Sequence, residues 1–187
     1  MSQPSPTPTQ QPTQQNRPPQ QQQRRRRQVS RYGAGLAEKQ TLKNVFGLRE
    51  EQLRRYYEHA LKFRGQTGPT LISLLERRLD NAIFRAGFAQ TRPQARQMAT
   101  HRLFAVNGRA VDVPSYSLKE GDVVSVLPNK QKKAYFSSFE KRMQNVDTPS
   151  WILVNAPEFS FKVTGVPSYE EANIGVDVRA VVEFFAR

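Results

Sequence analysis

The sequence predicts an α+β fold: a mostly helical domain holding an inserted ααβ-type module of two short helices and a small antiparallel sheet, preceded by a disordered amino-terminal tail. Three observations predict it. Apolar residues recur at helical spacing from Leu36 to Ala99; short alternating runs with tight-turn residues between them fill much of 103–163; and the first 28 residues are polar and proline-rich.

Those first 28 residues hold ten Gln and six of the 13 Pro, with no apolar residue beyond Met1. They cannot bury enough surface to offset chain entropy, so they read as disordered. The run Arg24 to Arg27 closes the tail, either as a solvated charge run or as a phosphate-binding cluster without sequence preference. A transit peptide is a further alternative for this basic, acid-free stretch, although it lacks an amphipathic apolar face. A helix is expected over Leu36 to Phe46, stopped by Gly47. A second, over Arg49 to Phe63, is marked by Leu53, Tyr56, Tyr57, Ala60 and Leu61, and Gly65 to Pro69 form a loop.

From Thr70 to Phe88, Leu71, Leu74, Leu75, Leu79, Ala82, Ile83 and Ala86 mark one continuous helical face, and Gly87 supplies a left-handed stop. Thr91 and Gln94 have the spacing of a capping box, and Ala95, Met98 and Ala99 give the short helix that follows an apolar seam. Leu103 to Val106 and Arg109 to Val113 flank Asn107-Gly108, a two-residue hairpin turn. A turn at Glu120-Gly121-Asp122 precedes a strand over Val123 to Leu127. Lys130 to Met143 reads as an amphipathic helix, in which Tyr135 and Phe136 serve either as core residues or as base-stacking platforms. Trp151 to Val154 and Phe159 to Val163 read as strands, and Asp177 opens a last helix, VRAVVEFFA.

Charge points to a polyanionic partner. The chain carries 29 basic and 16 acidic groups, a formal charge of +13. Residues 1–37 contain six arginines and no acid, 38–145 contain 20 basic and 10 acidic groups, and 146–187 contain three basic and six acidic. The middle therefore carries the positive field. With no cysteine and only His59 and His101, disulfides, thiolate metal sites and an imidazole cluster are excluded, and no cofactor is expected. No run reaches the roughly 20 apolar residues of a membrane span, and the amino terminus lacks a secretory core, so a soluble protein without membrane contact is expected. No phosphate-binding Gly-rich loop, cysteine nucleophile or Ser-His-carboxylate motif is present, so no enzyme is expected and no catalytic residue is assigned.

Two stretches, LLERRLDNAIFRAGFAQTRPQARQMATHR and VNGRAVDVPSYSLKEGDVVSV, resemble an RNA-binding module shared by several protein families. Their flanks are more specific. YGAGLAEKQTLKNVFGLREEQLRRYYEHALKFRGQTG is similar to the first helical domain, and PSWILVN with VVEFFAR to the carboxyl-terminal signature, of bacterial-type small-subunit ribosomal protein four. The likeness runs from about residue 24 to 187. It implies a helical rRNA-binding domain formed by 29–75 together with about 156–187, and the RNA-binding module at 76–155. It also implies a structural constituent of the small ribosomal subunit, a primary binder of a junction in the 16S rRNA 5′ domain that nucleates assembly of the 30S body and contributes to translational accuracy. Ribosomal protein five is the implied neighbour, with proteins three and twelve and the chain's own mRNA as further partners. The implied location is the cytoplasmic small subunit, with an organelle ribosome as the alternative.

Two departures stand out. Many family members begin with a small amino-terminal domain that sometimes binds zinc through cysteines, where this chain has no Cys and a Gln/Pro-rich tail, and where the family often has a His-Gly-His-Ile-type run this chain has His101-Arg102-Leu103-Phe104. Read as RNA contacts are Arg77, Arg78, Asn81, Arg85, Arg92, Arg96, His101 and Arg109 in the module, and Lys39, Lys43, Arg54, Arg55, Arg64 and Gln66 in the helical domain. His101 is alternatively structural. The competing functional class is a non-ribosomal RNA chaperone or stress factor carrying the same module. A modifying enzyme is a third class, for which the chain after Leu127 lacks an evident catalytic aspartate motif.

Overall fold

The computed structural model describes residues 30–132, 134–137, 139–143 and 146–187, so the expected disordered tail and its arginine run lie outside the described residues. Helix α1, Arg31–Val45, begins at Ser30, whose hydroxyl accepts from Gly33 N at 3.1 Å. It starts five residues before the expected Leu36 because that cap satisfies a first-turn amide. Helix α2, Glu50–Ala60, follows, with Arg49 N donating to the Gln52 side chain at 3.0 Å.

The continuous helix expected over Thr70 to Phe88 is two helices, α3, Thr67–Glu76, and α4, Leu79–Arg85. Arg78 between them is extended, with ψ 141°. Its neighbours leave the helical ladder for a returning loop: Leu79 N donates to Tyr116 O, Asp80 N to Pro114 O, and Leu118 N to Arg77 O. Apolar spacing runs through the break because both halves bury leucines, which is why periodicity alone missed it. Gly87, at φ +76°, follows α4, and helix α5, Arg92–Thr100, is capped by Thr91 Oγ1, which accepts from Gln94 N at 3.3 Å. The reciprocal bond comes from Gln90 N, not Thr91 N, to the Gln94 side chain at 2.8 Å.

Strands β1, Phe104–Val106, and β2, Arg109–Val111, form the expected hairpin, with Asn107 and Gly108 at φ 48° and 79°. Strand β3, Val123–Val126, pairs with β1. The single helix expected over Lys130 to Met143 is replaced, among the described residues, by helix α6, Pro128–Gln131, a 3-10 turn at Ala134–Phe136 and helix α7, Phe139–Met143. Phe136 and Phe139 are both buried in the core, where Phe139 lies 4.5 Å from Phe88 between ring centroids. Tyr135 is anchored as well, its hydroxyl donating to Phe88 O at 2.8 Å, so these rings serve packing and not base stacking.

Strands β4, Ile152–Asn155, and β5, Ser160–Val163, complete an antiparallel sheet ordered β2-β1-β3-β5-β4. Helix α8, Tyr169–Ala172, was not expected from sequence; helix α9, Val178–Phe185, was, and Asp177 caps it by accepting from Arg179 N and Ala180 N. Two apolar cores result. In one, α4 and α5 pack with the sheet around Phe88, Phe104 and Phe161; in the other, α1, α2 and α3 pack with α8 and α9 around Leu42, Leu53, Leu71 and Val181.

Candidate nucleic-acid interface

The helix break at Arg77–Arg78 lies where the two cores meet, and charged side chains converge on it. Arg78, 2% exposed, donates through Nε and Nη2 to both carboxylate oxygens of Asp80 at 3.0 and 2.7 Å, and through Nη1 to the Tyr56 hydroxyl of α2 at 2.8 Å. Burial pulls its pKa down, but Asp80 and Tyr56 more than offset that and hold the guanidinium above its ordinary value. Glu76, equally buried, accepts from Asn81 Nδ2 at 2.7 Å and from Arg85 Nε and Nη2 at 2.8 and 2.9 Å. Arg85 Nη2 also donates to Ala172 O in α8.

At the start of α5, Arg92 Nε donates to Asn81 Oδ1 at 2.8 Å, and its guanidinium packs 4.5 Å from the Phe84 ring centroid and 5.2 Å from that of Phe46. Burial and the neighbouring Arg85 push its pKa below the ordinary value despite Glu76 and Asp80. Arg96 Nε donates to Asp80 at 3.2 Å and its Nη1 to Gly47 O. Four arginines thus share two buried carboxylates, which leaves a cationic excess beside a cleft of about 160 Å³ lined by Phe46, Gly47, Asn81, Arg92 and Arg96.

The remaining candidates divide by exposure. Lys39 is buried, its ammonium donating to Glu50 and lying 4.6 Å from the Phe184 ring centroid, and Lys43 reaches the same carboxylate at 3.8 Å. Arg54 pairs with Glu58 one turn along α2 at 3.3 Å. Arg55 is exposed and lines a crevice with Tyr56, His59 and Arg78. Arg64 is exposed and shares a groove with Arg77, whose Nε donates to Leu118 O at 2.9 Å. Gln66 lines an adjoining groove with Asp177 and Arg179. His101 and Arg109 are exposed on the module and line none of these clefts.

Sequence reasoning found the arginines but not the groups that hold them, namely Glu76, Asp80 and the Tyr56 hydroxyl. The available signal was the placement of both acids inside the ERRLDN run, and each acid looks there like an ordinary helix-surface charge. Among the described residues no group of three His, Asp or Glu side chains could hold a metal ion. The surface therefore offers cations, hydrogen-bond donors and rings, which is the chemistry of phosphate and nucleobase recognition.

Comparison with known proteins agrees in both halves. The family profile described as the S4 domain matches residues 77–124, and that of the ribosomal protein S4/S9 N-terminal domain matches 6–76. The small ribosomal subunit protein uS4 of Herpetosiphon aurantiacus is 43% identical over 162 residues, covering 86% of this chain and 77% of its own. That of Roseiflexus sp. strain RS-1 is 42% identical, with 86% and 79% covered, and that of Thermodesulfovibrio yellowstonii 40% identical, with 85% and 76% covered.

Proposed function

Because the chain belongs to the bacterial-type uS4 family of small-ribosomal-subunit proteins, we propose that it is a structural, non-enzymatic constituent of the small subunit that binds 16S rRNA. Its target is a helical junction of the 5′ domain, its binding nucleates assembly of the 30S body, and its place beside protein five gives it a part in decoding accuracy. Proteins three and twelve and its own mRNA are the further partners, and the bacterial cytoplasm is the compartment.

The observation that carries this reading is the pairing of a shared RNA-binding module with the flanking helical domain, two basic bodies joined at a charged seam. Duplex RNA hides its base edges in a deep, narrow major groove, so a junction is read through phosphates, 2′-hydroxyls and the mutual placement of its helices. Two bodies in a set arrangement suit that task. In this reading the module extends from Glu76 through Val163, so that it includes β5, and the helical domain takes up the chain again near Ser168.

The exposed and half-exposed groups make the contacts: Arg54, Arg55, Arg64, Gln66, Arg77, His101 and Arg109, with Lys43, Arg92 and Arg96 at the seam. Arg78, Asn81, Arg85 and Lys39, turned inward, hold the others in place. Filter binding of a 16S 5′-domain transcript at graded salt tests this. Arg55→Ala, Arg64→Ala and Arg109→Ala are each expected to flatten the log–log salt dependence by nearly one unit. Unchanged affinity and slope in the triple variant would remove the surface from consideration.

A further inference from the structure

Three large apolar side chains stand unusually exposed around one groove. Phe63 is 50%, Val166 61% and Tyr169 43% exposed, and together with Arg64 and Arg77 they line a space of about 370 Å³ between the end of α2, α3 and the approach to α8. That volume lies within the range of about 300–1,000 Å³ of small-ligand sites. Clustered exposed apolar groups mark an interaction surface.

Both rings are fixed before any partner arrives. The Phe63 ring meets the His59 ring edge-on, 5.2 Å between centroids at 74°, and the Tyr169 hydroxyl donates to Val176 O at 3.3 Å. Arg77 is held through Nε, which leaves its Nη groups without a protein partner among the described residues, and Arg64 has none there either. The groove lining contains two guanidinium groups and no carboxylate. Its charge matches an anion and its rings match a flat π-surface.

Resting on the reading of the chain as an RNA binder, we infer that this groove captures a single unpaired nucleotide of RNA. The base stacks on Phe63 and Tyr169, and its phosphates are met by Arg64 and Arg77. Stacking tolerates any base, since each has a π-face, so the groove selects an unstacked residue at a loop or bulge and not a sequence. The groove is lined by residues other than those of the charged seam, and its own two parts differ in salt response: the contacts of Arg64 and Arg77 with phosphate release counterions, and stacking on the rings does not.

The test uses the full chain with two probes, single-stranded octaadenylate and the 16S 5′-domain transcript. Phe63→Ala and Tyr169→Ala are each expected to weaken octaadenylate binding about tenfold with the salt slope unchanged, while Tyr169→Phe, which keeps the ring and loses only its anchoring bond, weakens it clearly less than Tyr169→Ala does. Ultraviolet crosslinking of the octaadenylate is expected at Phe63 or Tyr169. Parent-like affinity in both alanine variants, or crosslinks confined to other segments, overturns the inference. So does a result in which those variants bind RNA normally yet fail to enter particles reconstituted from RNA and small-subunit proteins, since the groove would then be a protein contact. The broader functional reading fails separately, if the parent chain itself does not bind the 5′-domain transcript.

Discussion

Arg102 occupies a backbone conformation that favours glycine. It follows the cap of α5 at φ +52°, and the bonds Leu103 N to Met98 O at 3.2 Å and Arg102 N to Ala99 O at 3.0 Å make this the left-handed turn that closes many helices. An L-residue there costs about 1–2 kcal/mol. Its side chain offsets a small part of that by pairing with Asp112, Nε and Nη2 lying 2.8 and 2.6 Å from Oδ2, an exposed contact that solvent screens. Arg102→Ala therefore loses the pair and keeps the strain, whereas Arg102→Gly loses the pair and relieves it. In urea denaturation the alanine variant is expected to be the less stable of the two, and the reverse order would refute the account. The Arg102 hydrogen bond and charge hold the Asp112 carboxyl below the usual carboxylate range. The pair thus contributes above the unfolded carboxylate pKa of about 3.9 and is lost as pH falls through the lower folded value. An NMR titration should find that carboxyl raised in both variants.

At the scale of elements, α1 lies close against α9. A Cβ at Gly35 would lie 3.2 Å from Ala180 O and 3.4 Å from Phe184 Cβ, so the helices are as near as a glycine allows. Gly35→Val adds branches where the nearest atom is backbone, which cannot turn aside. It is expected to cost about 1–3 kcal/mol by denaturant midpoint, despite the better helix propensity of valine. Elements of this kind were legible wherever one residue pattern met one structural cause, as in the Asn107-Gly108 hairpin and the Asp177 cap. They were illegible where tertiary partners overrode the pattern. The leucine stripe from Leu71 to Ile83 continues unbroken across Arg77–Arg78, and nothing local announces that Leu79 N and Asp80 N will bond to 114–116. The aromatic residues of 130–143 read as one helical face, yet Phe136 and Phe139 reach the core from two separate short elements, the 3-10 turn and α7.

At the scale of the molecule, the seam decides how the two bodies face each other. Each of its arginines leaves the module's own helices and ends on the other body: Arg78 on Tyr56, Arg85 on Ala172 O, Arg96 on Gly47 O and Arg92 over Phe46. The cations were visible in sequence, but their direction was not, because an arginine paired inside and one facing RNA look alike until their acids are placed. Asp80 separates the two roles. It accepts from Arg78 and Arg96 and from the Asn81 amide, so Asp80→Asn leaves the buried Arg78 without its countercharge. Breaking a buried pair in this way costs about 3–5 kcal/mol. Hydrogen exchange should quicken at 44–47 and around Tyr56, the segments that Arg96 and Arg78 grip. Affinity for the 5′-domain transcript should fall, because a junction that fits two fixed bodies must now pay to order them. Its salt slope should stay as in the parent, since Arg78 touches no phosphate and Arg96 keeps its charge and its bond to Gly47 O. A slope that drops along with the affinity would place Arg78 on the RNA and not between the domains.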